Sequence, residues 1–143
     1  MQFGQVWVTA NFDTAPVRVE ETARTLRLYD TDILLLQEVE KAGPNVKQSN
    51  PPKYYTYLKE ALQGYESVLD YPTEDSRELP FGVGLVIFSR YPILSSRTTQ
   101  LPGAPVEFKF DGSKTPTNRI IITAEIEIEG TPYTVIPFRR ILY

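Results

Sequence analysis

Glu38 is the first residue of this chain to suspect of chemistry. It closes the run Asp32-Ile33-Leu34-Leu35-Leu36-Gln37-Glu38, four consecutive aliphatics followed by an amide and a carboxylate. Such a run reads as a short strand apolar on both faces, as in a parallel sheet covered by helices. Glu38 would then stand at the strand's C-terminal end, where open α/β sheets form their ligand crevices. A lone strand-end glutamate is more often a solvated carboxylate, so its company decides. Asn11 ends an earlier alternating strand, Phe3 to Asn11, and alone reads as a turn residue. Beside Glu38, on a neighbouring parallel strand, it becomes a second site candidate. Gln37 reads as a buried amide serving the backbone.

The chemistry open to these residues is bounded by what the chain lacks. Histidine, the usual acid/base group near neutral pH, is absent from all 143 residues. Cysteine is absent too, which removes disulfides, thiolate metal sites and thiol nucleophiles. Fifteen basic and eighteen acidic residues give a net charge of −3, against a dedicated nucleic-acid-binding module with its basic face. An enzyme touching a few phosphates through an arginine or a metal remains open. The length suits one domain with a single core. No apolar run reaches membrane-spanning length, and Met1-Gln2-Phe3-Gly4-Gln5 shows no signal peptide, so a cytoplasmic location is favoured.

The elements that must position these residues follow from patterning. Thr14-Ala15-Pro16 starts a helix, with Val19, Ala23 and Leu26 at helical spacing to Tyr29 and a Glu20–Arg24 pair outside. Strand, helix and strand over the first forty residues predict a βαβ unit. A second helix carries Tyr54, Leu58, Ala61 and Leu62 on one face and stops at Gly64. The Tyr54-Tyr55-Tyr57 cluster reads as packing before substrate stacking. Tyr65 to Leu69 is a short strand, Phe81 to Ser89 a central strand apolar on both faces, and Ile93 to Leu101 another. Arg119 to Glu129 alternates, with Ile120, Ile122, Ala124, Ile126 and Ile128 inward. Gly130-Thr131-Pro132 turns it into a last strand, Tyr133 to Phe138. Arg139-Arg140 reads as a solvated terminus.

Four blocks, Thr9-Ala10-Asn11-Phe12, Asp32-Ile33-Leu34-Leu35-Leu36-Gln37-Glu38-Val39, Gly82-Val83-Gly84-Leu85-Val86-Ile87-Phe88-Ser89-Arg90-Tyr91-Pro92-Ile93 and Arg119-Ile120-Ile121-Ile122-Thr123-Ala124, together resemble the endonuclease/exonuclease/phosphatase superfamily. That group includes DNase I-like nucleases, AP endonucleases, sphingomyelinases and inositol-polyphosphate phosphatases. The resemblance implies an α/β (α+β) fold: half of a four-layer DNase I-like sandwich, here one mixed sheet with helices on one face. It also implies hydrolysis of phosphoesters with Mg²⁺ or Mn²⁺. Glu38 matches the family's metal-binding glutamate and Asn11 the asparagine beside it at the metal. Arg119 lies where some members place a phosphate-contacting arginine, although it also fits an exposed strand-start charge. A hard cation that keeps several waters needs only one or two such protein ligands, and arginine's fork suits phosphate oxygens.

The sequence also departs from that pattern. Where the family has Asn-Thr-His-Leu or similar, this chain has Val135-Ile136-Pro137-Phe138-Arg139-Arg140. The family's later Asp-x-Asn and Asp-His pairs have no counterpart. The expectation is a partial domain over residues 1–143, its N-terminal portion, inactive alone and partnered by a missing C-terminal half. The substrate, whether nucleic acid, phospholipid or inositol phosphate, is not distinguished. The alternative is a non-catalytic interaction protein using the open sheet face. A half-domain predicts about six or seven strands and an unusually apolar uncovered face.

Overall fold

A computed structural model describes residues 15–42, 54–70, 81–101, 109–110, 113–114 and 119–137. The predicted strand Phe3–Asn11, and with it the βαβ unit, lies outside them. The architecture is α+β, with most strands in two antiparallel three-stranded sheets.

Helix α1 spans Ala15–Leu28, with Pro16 in the first turn, where its missing N–H costs nothing. Ala23 and Leu26 are buried on one face. The surface pair is Glu21–Arg24 at 2.8 Å, one residue from the expected Glu20–Arg24. Asp30, with φ 46°, ends the helix in the left-handed region that aspartate tolerates. Helix α2, Tyr54–Ala61, buries Leu58, with Leu62 buried just past its end, and the chain turns at Gly64 with φ 87°. The Arg27 guanidinium donates to the Ala61 carbonyl at 2.7 Å, joining α1 to the C-terminal end of α2. A cation suits a helix end whose carbonyls lack intrahelical partners.

The first sheet has the order β1 (Ile33–Ala42), β3 (Phe81–Ser89), β2 (Glu66–Asp70), every pairing antiparallel. The second runs β4 (Ile93–Leu101), β7 (Arg119–Ile128), β8 (Thr131–Val135). A two-residue ladder pairs β5 (Lys109–Phe110) with β6 (Ser113–Lys114). The single mixed sheet is thus corrected to separate antiparallel sheets. Among the described residues β1 pairs with antiparallel β3; Phe3–Asn11, the strand expected to lie parallel to it, falls outside them.

Strand β3 explains why the sheets are separate layers. Val86 and Phe88 pack with Leu34, Leu36, Val39, Leu58, Leu62, Ala23 and Leu26 on the helix side. Leu85 and Ile87 point the other way, onto Ile120, Ile122, Ala124 and Ile126 of β7. Each fully buried aliphatic or Phe side chain is worth about 1.5–3 kcal/mol of transfer free energy, so both interfaces are held by the same strand. The layers are helices, first sheet, second sheet. The face expected to await a partner sheet is therefore covered from within the chain. Among the described residues the two helices do lie on one face of the first sheet, as expected.

The outer part of that interface is less complete. Leu35 and Tyr133 occupy inner-face register positions on β1 and β8, yet stay exposed. Two-faced burial of the Leu run was thus wrong in detail: Leu34 and Leu36 face helices, while Leu35 is 38% exposed. The hairpin between β7 and β8 turns at Glu129 and Gly130, φ 50° and 77°, rather than at Gly130-Thr131-Pro132. Two consecutive positive φ values make the two-residue turn whose twist matches paired strands.

Candidate metal and phosphate site

Glu38 sits at a break in the β1–β3 ladder. Gln37 pairs with Leu85 and Val39 with Gly84, so Glu38 is the extra residue of a β-bulge. Bulges unpair one residue and re-aim the chain, and they are common beside active sites. Core packing explains this one. Leu34, Leu36 and Val39 all pack against the helices, and only an inserted residue between 36 and 39 allows that. The spacing of two, then three, was the sequence signal for the bulge. The side chain of Glu38 lies outside the described residues, as does Asn11 entirely, so the expected convergence of the two is not part of the described geometry. Gln37 is half-buried.

Arg119 is placed by its strand. It opens β7 opposite Leu101, the last residue of β4; its side chain too lies outside the described residues. Two contacts between β2 and β4 show which end of the sandwich this is. Glu66 accepts the Ile93 N–H at 2.8 Å, and Thr98 Oγ1 donates to Asp70 Oδ2 at 2.5 Å. The strands β2 and β4 therefore run alongside in the same direction. Gln37, Leu85 and Asp70 form one row across the first sheet, and Thr98 pairs with Ile122 in the second. Glu38, Asp70 and Arg119 thus share one end of the sandwich. The sequence missed Asp70 and Thr98, because no local pattern marks a contact between edge strands of two sheets.

The opposite end carries a different charge cluster. Arg90 pairs with Asp30 and, at 3.4 Å, with Asp32, and its guanidinium lies 5.1 Å from the centre of the Tyr65 ring. Tyr65 donates to the Thr31 carbonyl at 2.5 Å, and the Arg90 N–H to Asp32 O at 2.9 Å. The hydrogen bond to Asp30 is the main reason the Arg90 pKa is raised further above its already alkaline value. These contacts hold three turns together. Of the tyrosine cluster, Tyr55 does pack: its ring lies 6.2 Å from Phe88 and its hydroxyl 2.9 Å from Ser67 Oγ.

With no histidine or cysteine anywhere in the chain, any metal it holds must be held by oxygen donors, which suit Mg²⁺ and Mn²⁺. Among the described residues no three acidic side chains gather as a metal cluster. Asp30 and Asp32 face Arg90.

Solved structures share this arrangement. An endonuclease/exonuclease/phosphatase family protein from Leptotrichia buccalis C-1013-b superposes with a TM-score of 0.66 at 17% identity, covering 99% of this chain and 54% of its own. The fold is that of endonuclease/exonuclease/phosphatase proteins. A second such protein, from Beutenbergia cavernae DSM 12333, gives 0.58 at 22% identity over 82% of this chain and 31% of its own. Humanized D. rerio TDP2 carrying 14 mutations gives 0.52 at 18% over 94% and 44%. The chain thus spans about half or less of each of these structures. No family model matches the sequence, and no curated protein does. The expected DNase I-like fold is borne out over this partial length. No helix among the described residues is long and apolar enough to cross a membrane.

Proposed function

We propose that this chain is part of a metal-dependent phosphoester hydrolase of the endonuclease/exonuclease/phosphatase type. The observation that carries the reading is the bulge that sets Glu38 apart from the ladder, at the same end of the sandwich as Arg119. In this reading Glu38, with Asn11, holds Mg²⁺ or Mn²⁺, and Arg119 binds a phosphate oxygen of a nucleic acid, phospholipid or inositol phosphate. The bound cation would polarise the phosphoryl oxygen and offset charge on the leaving group. Hydrolysis joins a water oxygen to phosphorus, breaks the bond to the leaving oxygen and moves the water's proton away. That proton transfer needs a positioned acid/base worth about 10²–10⁴-fold. With no histidine to supply it, the reading places that group on a further part of the domain acting as partner, and expects this chain alone to be inactive.

The test is product release from a generic phosphodiester with Mg²⁺ or Mn²⁺, comparing the chain with its Glu38→Ala variant. Equal background rates are expected. Metal-dependent turnover lost in the variant would overturn the incompleteness while supporting the site. Turnover kept in the variant would overturn the role of Glu38.

A further inference from the structure

We infer that Asp70 and Thr98 are positioning residues that fix the phosphate-binding arginine relative to the metal-binding glutamate. The inference rests on the reading of Glu38 and Arg119 just given and adds two residues to it. Glu38 belongs to the first sheet and Arg119 to the second. Apolar packing between Leu85, Ile87 and the β7 isoleucines holds the layers together, but such contacts are non-directional and tolerate sliding. A hydrogen bond does not, since it weakens steeply off its distance and angle.

Two side-chain hydrogen bonds join β2 to β4, one at each end. Glu66 to the Ile93 N–H lies at the Arg90 end, and Asp70 to Thr98 at the Glu38 end. Glu66 and Asp70 both use the face of β2 that carries Val68, which packs into the interface between the sheets. Asp70 is two strands from the bulge, in the row of Gln37 and Leu85, a span of about 9–10 Å at ordinary strand spacing. Thr98 lies three residues before Leu101, the partner of Arg119, about 10 Å along the strand. The Asp70–Thr98 bond is therefore a polar link between the sheets at the end that carries both candidate residues. A cation on one sheet and a guanidinium on the other can grip one phosphate only if their separation is held.

The experiment measures two affinities for each variant: Mn²⁺ alone, and inorganic phosphate with Mg²⁺ saturating. Thr98→Val removes the hydroxyl but keeps the β-branched shape. It should weaken phosphate about fivefold or more, as small misplacements do in preorganised sites, and leave Mn²⁺ within about twofold, since Glu38 belongs to the first sheet and Thr98 to the second. Thr98→Ser restores the donor and should restore phosphate affinity. Glu66→Ala, cutting the link at the far end, should lower Tm without touching phosphate affinity. If Thr98→Val fails to fold, Thr98→Ala breaks the same bond without apolar bulk. Unchanged phosphate affinity in the Thr98 variants, with Glu38→Ala and Arg119→Ala both defective, overturns the positioning role alone. Equal loss in Glu66→Ala does the same. Insensitivity to Glu38→Ala and Arg119→Ala overturns the underlying site, and the positioning role with it.

Discussion

Arg90 shows how one side chain can tie distant segments of a molecule together. It meets Asp30, Asp32 and the Tyr65 ring, so it links the turn after α1, the start of β1 and the turn before β2. The sequence showed Arg90-Tyr91-Pro92 only as a turn, because its carboxylate partners lie about sixty positions away. Its raised pKa means that its contribution is complete below the unfolded-state value and is lost only as pH rises through the folded-state one. Both lie on the strongly alkaline side. Arg90→Ala should therefore lower Tm by a constant amount between about pH 7 and 10, and by less at about 1 M salt, where screening reaches a few ångströms. Thermal melts across that range check it; a deficit that vanishes by pH 8 would contradict the assignment.

At the scale of the element, the bulge in β1 separates a folding role from a functional one. Deleting Glu38 would bring Val39 next to Gln37, and Leu34, Leu36 and Val39 would then alternate strictly on the helix side of a regular strand. We predict that the deletion variant melts close to the parent while losing any metal affinity. Substantial unfolding would show that the fold depends on the bulge itself. The β7–β8 turn offers an independent check. Glu129 adopts a left-handed conformation that costs most L-residues about 1–2 kcal/mol, so Glu129→Asn should raise stability by about 0.5–1 kcal/mol in denaturant titrations. The boundaries of β3 and β4 were legible to the residue, since β3 is apolar throughout and Pro92 punctuates the turn between them. The β7–β8 turn was misplaced because Gly130, Thr131 and Pro132 are all turn formers, and only backbone pairing shows that the last two belong to β8.

At the scale of the whole molecule, the described residues form two interfaces that share strand β3. Phe88→Ala on the helix side should cost about 3–5 kcal/mol, and Ile87→Ala on the sheet side about 2–5 kcal/mol, because both side chains are fully buried. Equal sensitivity on both faces separates this three-layer arrangement from a single sheet with one open face, which the sequence had suggested. That error has a physical origin. Alternation tells which residues turn inward, but not whether the inward faces of two strands belong to one sheet or to two sheets facing each other. The resemblance carried by the Asp32–Val39, Gly82–Ile93 and Arg119–Ala124 blocks did identify the fold, since those blocks fall on β1, on β3 with the turn after it, and on β7, strands that build both sheets.

The site's location is tested most directly by titrating Mn²⁺ into isotopically labelled protein and following paramagnetic broadening of assigned amide signals. Broadening should begin around Gln37–Val39 and the facing Gly84 and Leu85, and disappear in Glu38→Ala. Broadening centred on Asp30 and Asp32 at the far end, or unchanged by Glu38→Ala, would contradict the assignment of Glu38 as the metal-binding residue.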